Sequence, residues 1–232
     1  MKRLLVVGCL LVAISATGQV KGFVGLKGGG QAASAYIEHT IYTTFMDIGI
    51  IPGYHGGVIA KLFTNQNPGS FLNAGLQSGL TYSQKGWRQH FPTEHPSYTV
   101  KMSYLEVPVE AMIYAGKQNF KVFSTLGVYT EYLLNVDKDP DPDTDPAVIG
   151  NDVDFYTYQE GYDKTFGYGC RVSLGVQYES PIGAFHADGF FGFSISSFMR
   201  SDDLGEERPD LSNHYTLGFS LAYLIPFGKM EY

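Results

Sequence analysis

The sequence predicts an all-β chain: eight antiparallel strands closed up-and-down into a transmembrane β-barrel with a plugged polar interior. Three observations predict it. Apolar and polar residues alternate with period 2 through long segments, the links between those segments alternate short and long, and the composition is rich in Gly and aromatics but poor in charge. Of 232 residues, 28 are Gly, 17 Tyr and 16 Phe, and 17% are charged. Mean hydropathy is -0.08, and beyond the N-terminus no apolar run approaches the roughly 20 residues of a membrane helix, which excludes a helical membrane bundle. Apolar residues are too plentiful for a disordered chain. A net charge of -7 gives no electrostatic footprint for nucleic acid, which is not an expected partner.

Residues 1–18 read as a secretory signal peptide. Lys2 and Arg3 form a basic start, Leu4 to Ile14 an apolar stretch, and Ser15-Ala16-Thr17-Gly18 a small-residue exit. A lipoprotein signal is the rival, through Val6-Val7-Gly8-Cys9. Cleavage before Cys9 leaves an apolar region shorter than the usual roughly 7 to 15 residues, so the secretory reading is preferred. Cys9 then departs with the signal, leaving Cys170 alone. A single thiol makes no internal disulfide, so the exported domain, residues 19–232, must be held together by packing and pairing.

Eight strands are expected in that domain: Gly22–Ala32, Ile48–Phe63, Phe71–Gln84, Val100–Tyr114, Asn119–Val136, Lys164–Glu179, Gly183–Met199 and Ser212–Phe227. Several exceed the five or six residues usual in soluble sheets. The last is the clearest. Tyr215, Leu217, Phe219, Leu221, Tyr223, Ile225 and Phe227 share one face, and His214, Thr216, Gly218, Ser220 and Ala222 the other. Lys164–Glu179 sets Phe166, Tyr168, Cys170, Val172, Leu174, Val176 and Tyr178 against Gly167, Gly169, Arg171, Ser173, Gly175 and Gln177. In Val100–Tyr114, Leu105, Val107, Val109, Ala111 and Ile113 oppose Tyr104, Glu106, Glu110 and Met112.

A soluble sandwich would stack the apolar faces on each other, whereas an outer-membrane barrel turns them to lipid. Tyr and Phe near the strand ends favour the barrel, where they form girdles at the two interfaces. The links agree. Thr64–Ser70, Ala115–Gln118 and Ser180–Ile182 are short, while Ala33–Asp47, Lys85–Thr99, Asp137–Asp163 and Arg200–Leu211 are long, as periplasmic turns and extracellular loops would be. A soluble ligand-carrying barrel shares the strand count and is the remaining structural alternative.

Four segments carry a family resemblance: Phe23-Val24-Gly25-Leu26-Lys27-Gly28-Gly29, Gly53-Tyr54-His55-Gly56-Gly57, Leu76-Gln77-Ser78-Gly79-Leu80-Thr81-Tyr82-Ser83-Gln84-Lys85-Gly86, and Tyr104-Leu105-Glu106-Val107-Pro108-Val109. In order, they resemble the PorT-like family of outer-membrane β-barrel proteins. The resemblance implies a Gram-negative outer-membrane location and, through the family's namesake, an association with type IX protein secretion. It supplies no catalytic residues. The partners expected are outer-membrane lipid and lipopolysaccharide, with envelope or secretion proteins.

An eight-stranded barrel is just wide enough for its own side chains, so it is expected to be plugged and not an open porin. The inward register assigns Lys27, Lys61, Glu106, Glu110, Lys121, Glu131, Arg171, His186 and Asp188 to the lumen. A structural ion-pair network is preferred over a proton path or catalytic cluster, because buried charges left unpaired are costly. Arg171 is expected at its centre, its planar fork serving two carboxylates. A lipid-modifying enzyme built on a Ser/His pair is an alternative, with His55, His186 and His214 as candidates. No G-x-S-x-G elbow accompanies them, and Gly28-Gly29-Gly30 is no phosphate loop, since neither a helix nor Lys-Ser/Thr follows.

The segment Asp137-Lys138-Asp139-Pro140-Asp141-Pro142-Asp143-Thr144-Asp145-Pro146 sets five carboxylates, Asp137, Asp139, Asp141, Asp143 and Asp145, at alternate positions. Oxygens so placed suit Ca²⁺, but the loop lacks the glycine and the final glutamate of an EF-hand, and a solvated loop is the preferred reading. No other cofactor is expected. Calorimetric titration of Ca²⁺ into the purified protein separates the two readings. The solvated loop gives no heat up to millimolar Ca²⁺, whereas a saturable heat lost in Asp141→Asn/Asp143→Asn would establish an ion site.

Overall fold

The structure is a computed structural model and describes residues 21–38, 47–63, 72–90, 97–117, 119–139, 158–201, 209 and 211–227. The signal segment 1–18 lies outside the described residues, as do Asp141, Asp143 and Asp145.

Nine strands form: β1 (Lys21–Glu38), β2 (Asp47–Gly49), β3 (Ile51–Phe63), β4 (Asn73–His90), β5 (Tyr98–Lys117), β6 (Phe120–Asp139), β7 (Phe166–Ser180), β8 (Gly183–Ser194) and β9 (Leu211–Phe227). All pairings are antiparallel. The sheet runs β2-β4-β3-β1-β9-β8-β7-β6-β5, and β5 returns to β4. Since β2 and β3 occupy one place in the wall, the result is a closed ring of eight strands. Closure leaves the wall no free edge, which lipid could not hydrogen-bond.

The alternation sorts the faces as the sequence predicts. Leu26, Leu126, Leu174 and Leu217 are each at least 64% exposed on the outside, while Glu106, Gln177 and Ser220 are fully buried within. Among the described residues no second sheet covers the apolar face and the one sheet closes on itself, so the sandwich alternative is overturned. Exposed rings gather toward the strand ends: Tyr54, Tyr132, Phe166 and Tyr168 on the long-link side, Phe120, Tyr178, Phe185 and Phe227 on the short-link side. Gly22 pairs with Phe227, so the start of β1 and the end of β9 meet at the short-link end, the periplasmic end of such barrels.

At the long-link end most strands around the hairpins run further than expected. β1 runs to Glu38 instead of Ala32, β4 to His90 instead of Gln84, β5 starts at Tyr98, and β6 reaches Asp139. The expected loop Lys85–Thr99 is therefore mostly hairpin. Twenty residues in β5, at about 3.3 Å rise and about 40° tilt, reach roughly 50 Å, twice the roughly 25 Å of an apolar band. Above that band the outward positions become polar, as at Gln84, Arg88 and His90, and the apolar signal stops although the ladder continues.

Two further differences have local causes. The expected strand Ile48–Phe63 is broken at Ile50: Gly49 pairs with Arg88, but pairing with β4 resumes at His55 with Ser83. Five residues thus face four, a bulge that holds Pro52, which has no N–H to give the ladder. On β4 it faces Gly86, whose φ of 144° favours glycine. The expected strand Gly183–Met199 ends at Ser194, because the chain then turns inward. Phe198 N–H donates to the Ser212 carbonyl at 2.9 Å, and Met199 N–H to Ser212 Oγ at 2.8 Å.

Two apolar clusters cap the lumen. At the long-link end Trp87, Tyr98, Met102, Tyr104, Phe198 and Met199 pack together. At the short-link end Phe23, Phe63, Met112, Tyr114, Phe123 and Leu224 do so. Folded barrel and boiled chain should therefore migrate differently on a denaturing gel. A single position before and after boiling would contradict the closed ring.

Candidate functional site

Between the two apolar caps lies a charged layer, and all nine predicted lumen residues point into it. They form three connected groups.

The first ascends from the short-link end. Lys21 and Lys121 both pair with the Glu179 carboxylate. Gln177 Nε2 donates to Glu179 at 3.2 Å, and Lys61 Nζ donates to Gln177 Oε1 at 3.3 Å and to His186 Nδ1 at 2.7 Å. The other ring nitrogen, Nε2, then carries the proton and donates to Asp188 at 2.6 Å. Asp188 also receives Lys27 at 3.1 Å. Lys61 sits 3.9 Å from the Phe123 ring centroid, and that ring stacks on His186 at 4.8 Å. An amine held by an imidazole and an amide and covered by a ring face is thus hydrogen-bonded inside the wall.

The second group joins Gln77, which donates to Glu110 at 2.8 Å, to Thr125, which donates to the same oxygen at 2.9 Å and contacts Ser173 at 2.6 Å. The third is the densest. Glu106 and Glu131 stand directly opposite each other on β5 and β6, an arrangement that like charges oppose. Lys85 resolves it, reaching Glu106 at 2.7 Å and Glu131 at 2.6 Å. Arg171 pairs with the other oxygen of Glu106 and is flanked by Tyr129 and Phe190, whose centroids lie 5.1 and 4.9 Å from Cζ.

Glycine makes the room. Gly127 pairs with Glu110 on one side and Arg171 on the other, and a Cβ there would lie 2.5 Å from the Glu110 Cα. Two large charged side chains can face the lumen because nothing projects between them.

Two expectations are corrected. Lys85, not Arg171, bridges two carboxylates, and Glu110 is held by an amide and a hydroxyl where an ion pair was expected. Sequence reading missed Lys85, Glu179, Lys21 and Gln77 as network members. The alternation Ser83, Lys85, Trp87, Gln89 carries the signal for Lys85, and it was cut short by ending the strand at Gln84.

The candidate histidines are all buried in the lumen, away from the lipid face. His55 Nε2 meets Ser220 Oγ at 2.9 Å and its Nδ1 has no hydrogen-bond partner among the described residues. His186 lies between Lys61 and Asp188. His214 contacts the Tyr104 hydroxyl at 3.3 Å and stacks on Phe198 at 4.3 Å. Of the acidic segment, Asp137 and Asp139 are exposed at the end of β6, where Asp137 pairs in register with Lys101.

A closed eight-strand ring with an apolar belt outside and a paired, capped interior defines a small outer-membrane barrel. Residues 19–200 match the family described as outer membrane protein beta-barrel domain, and the chain belongs to that family. No curated protein matches the chain. Among solved structures it is similar to the outer membrane protein OprG of Pseudomonas aeruginosa, with 10% identity, 90% of this chain and 96% of that chain covered, and a TM-score of 0.50. The Neisserial surface protein NspA aligns at 11% identity over 89% of this chain and 99% of that chain, with a TM-score of 0.40. For Ail, the attachment invasion locus protein of Yersinia pestis, the figures are 9%, 88%, 99% and 0.38.

Breaking the third group should be costly. Lys85→Met leaves Glu131 without its cation and is expected to lower the unfolding free energy in a urea titration by about 3–5 kcal/mol. Adding Glu131→Gln should restore part of that loss, and a double variant no better than the single would show that the pair is not coupled.

Proposed function

We propose that the protein acts at the outer membrane as a structural or binding protein, through the loops at its long-link end, after export by a cleaved signal peptide. One observation carries the reading: the lumen is filled by interlocked ionic groups and capped by aromatic clusters at both ends, which leaves no conduit for solute among the described residues. Recognition then falls to what projects beyond the membrane, where β4, β5 and β6 extend well past the apolar belt and carry the loops. Outer-membrane lipid and lipopolysaccharide surround the belt, and envelope proteins are the partners such loops would meet. Catalysis and a bound cofactor are not part of this reading.

A second reading, an accessory part of type IX protein secretion, is favoured by the PorT-like strand and turn patterns. Co-purification of secretion components with the full-length protein from membranes would support it.

Liposomes carrying the folded protein should not swell in isotonic arabinose, and replacing residues 140–157 by a short Gly-Ser turn should leave heat-modifiability intact while abolishing surface binding by whole cells. Rapid arabinose uptake would refute the sealed lumen on which the reading stands.

A further inference from the structure

The β4–β5 seam that closes the ring is not continuous. Pairing runs from Asn73 with Tyr114 up to Ser78 with Val109 and resumes at Thr81 with Glu106 in unchanged register. The two missing rungs fall at Gly79 and Leu80 opposite Pro108 and Val107. Pro108 has no N–H to donate, and its carbonyl accepts instead from Ser78 Oγ at 2.7 Å. Gly79, paired with Ile59 on β3 but not with β5, faces inward without a side chain, so no Cβ covers the inner side of the lapsed seam.

A cavity of about 20 Å³ lies at this place. Its lining joins two residues of the lipid face, Val58 and Ser78, to Gly79 and Pro108 in the wall and to Gln77, His55 and Arg171 in the lumen. The last three are 3%, 5% and 8% exposed, and each has one polar atom without a hydrogen-bond partner among the described residues: Gln77 Oε1, His55 Nδ1 and Arg171 Nε. Buried polar atoms are almost always paired, so three around one cavity indicate a polar occupant.

We propose that this window is a binding site for a neutral, hydroxyl-bearing amphiphile drawn from the membrane, its hydroxyl in the lumen and its alkyl chain outside against Val58. The chemistry selects the class. Arg171 Nε–H can only donate and Gln77 Oε1 can only accept, the Gln77 Nε2 being committed to Glu110. One hydroxyl oxygen satisfies both, accepting from the guanidinium and donating to the amide. A carboxylate has no proton for Gln77, and although Lys27 and Arg171 line the cavity, Glu106 and Glu110 line it too and Lys27 is paired with Asp188. An alkane satisfies neither group. The volume admits one or two polar atoms, since a site for one water needs about 10–15 Å³, so the chain must remain at the lipid face.

The test is a titration of 1-octanol into ¹⁵N-labelled full-length barrel in perdeuterated detergent, following the Gln77 side-chain amide and the His55 ring nitrogens. The signals should move saturably with 1-octanol and stay unmoved by octane or octanoate. Val58→Phe, which covers the window from the lipid side without touching the lumen, should weaken octanol binding at least about tenfold with heat-modifiability unchanged. Pro108→Ala restores the missing donor and should act in the same direction, which keeps the test decisive if either variant fails to fold. Three results would each overturn the proposal: shifts linear in octanol and matched by octane, saturable shifts unaltered by both variants, or a Gln77–water cross-peak with no response to octanol, which assigns the chamber to water alone.

Discussion

No water reaches the middle of the wall, so each backbone N–H and C=O there must find its partner on a neighbouring strand. A sheet meets that demand throughout only by closing on itself, and the return of β5 to β4 is the pairing that closes it. Closure at eight strands fixes the bore to little more than the width of side chains. The rest of the molecule follows from that width. Inward residues meet across the axis instead of facing a channel, so any charge placed there must have a partner placed there too.

The interior answers by layering. Aromatic and aliphatic clusters occupy the two ends, and the ionic groups occupy the length between, where the caps keep water from competing for their hydrogen bonds. Such low-dielectric pairing is strong once complete and costly when incomplete. That asymmetry explains the use of neutral groups as connectors: Gln177, His186 and Thr125 each link a charged residue to another group, so no carboxylate or ammonium in these chains ends on an apolar wall. The network specifies register as much as it stabilises. A one-residue slip of any strand would turn its charges into lipid.

The faces of the barrel were legible in the sequence because period 2 is a property of each strand alone. Glu106, Arg171 and Asp188 could be placed in the lumen with no knowledge of their neighbours. Partners were not legible, since Lys85 meets Glu106 and Glu131 through a closure that no single strand encodes. Strand ends were lost for a different reason. Beyond the belt, outward positions such as Arg88 and Lys101 face water, so both faces turn polar while the ladder continues unchanged. The inward turn after Ser194 was hidden by Phe198 and Met199, whose apolar side chains read as more strand but fill the mouth of the barrel. Pro108 was equally silent, because Val107-Pro108-Val109 preserves the apolar alternation even as it removes a rung.

That last case shows where the design is least redundant. Around most of the ring the ladder and the bulky outward side chains both wall off the lumen. At Gly79 and Pro108 the ladder lapses, since Pro108 lacks a donor, and only outward side chains such as Leu80 and Val107 cover the seam. Gln77, His55 and Arg171, each with one unpaired polar atom, line the same cavity. The two positions differ: a donor at Pro108 would restore a rung, whereas a Cβ at Gly79 would lie 2.3 Å from the Val58 carbonyl oxygen, so the close approach of β3 requires glycine there. The lapse thus lies level with the densest ionic cluster, because the ladder resumes where Thr81 pairs with Glu106.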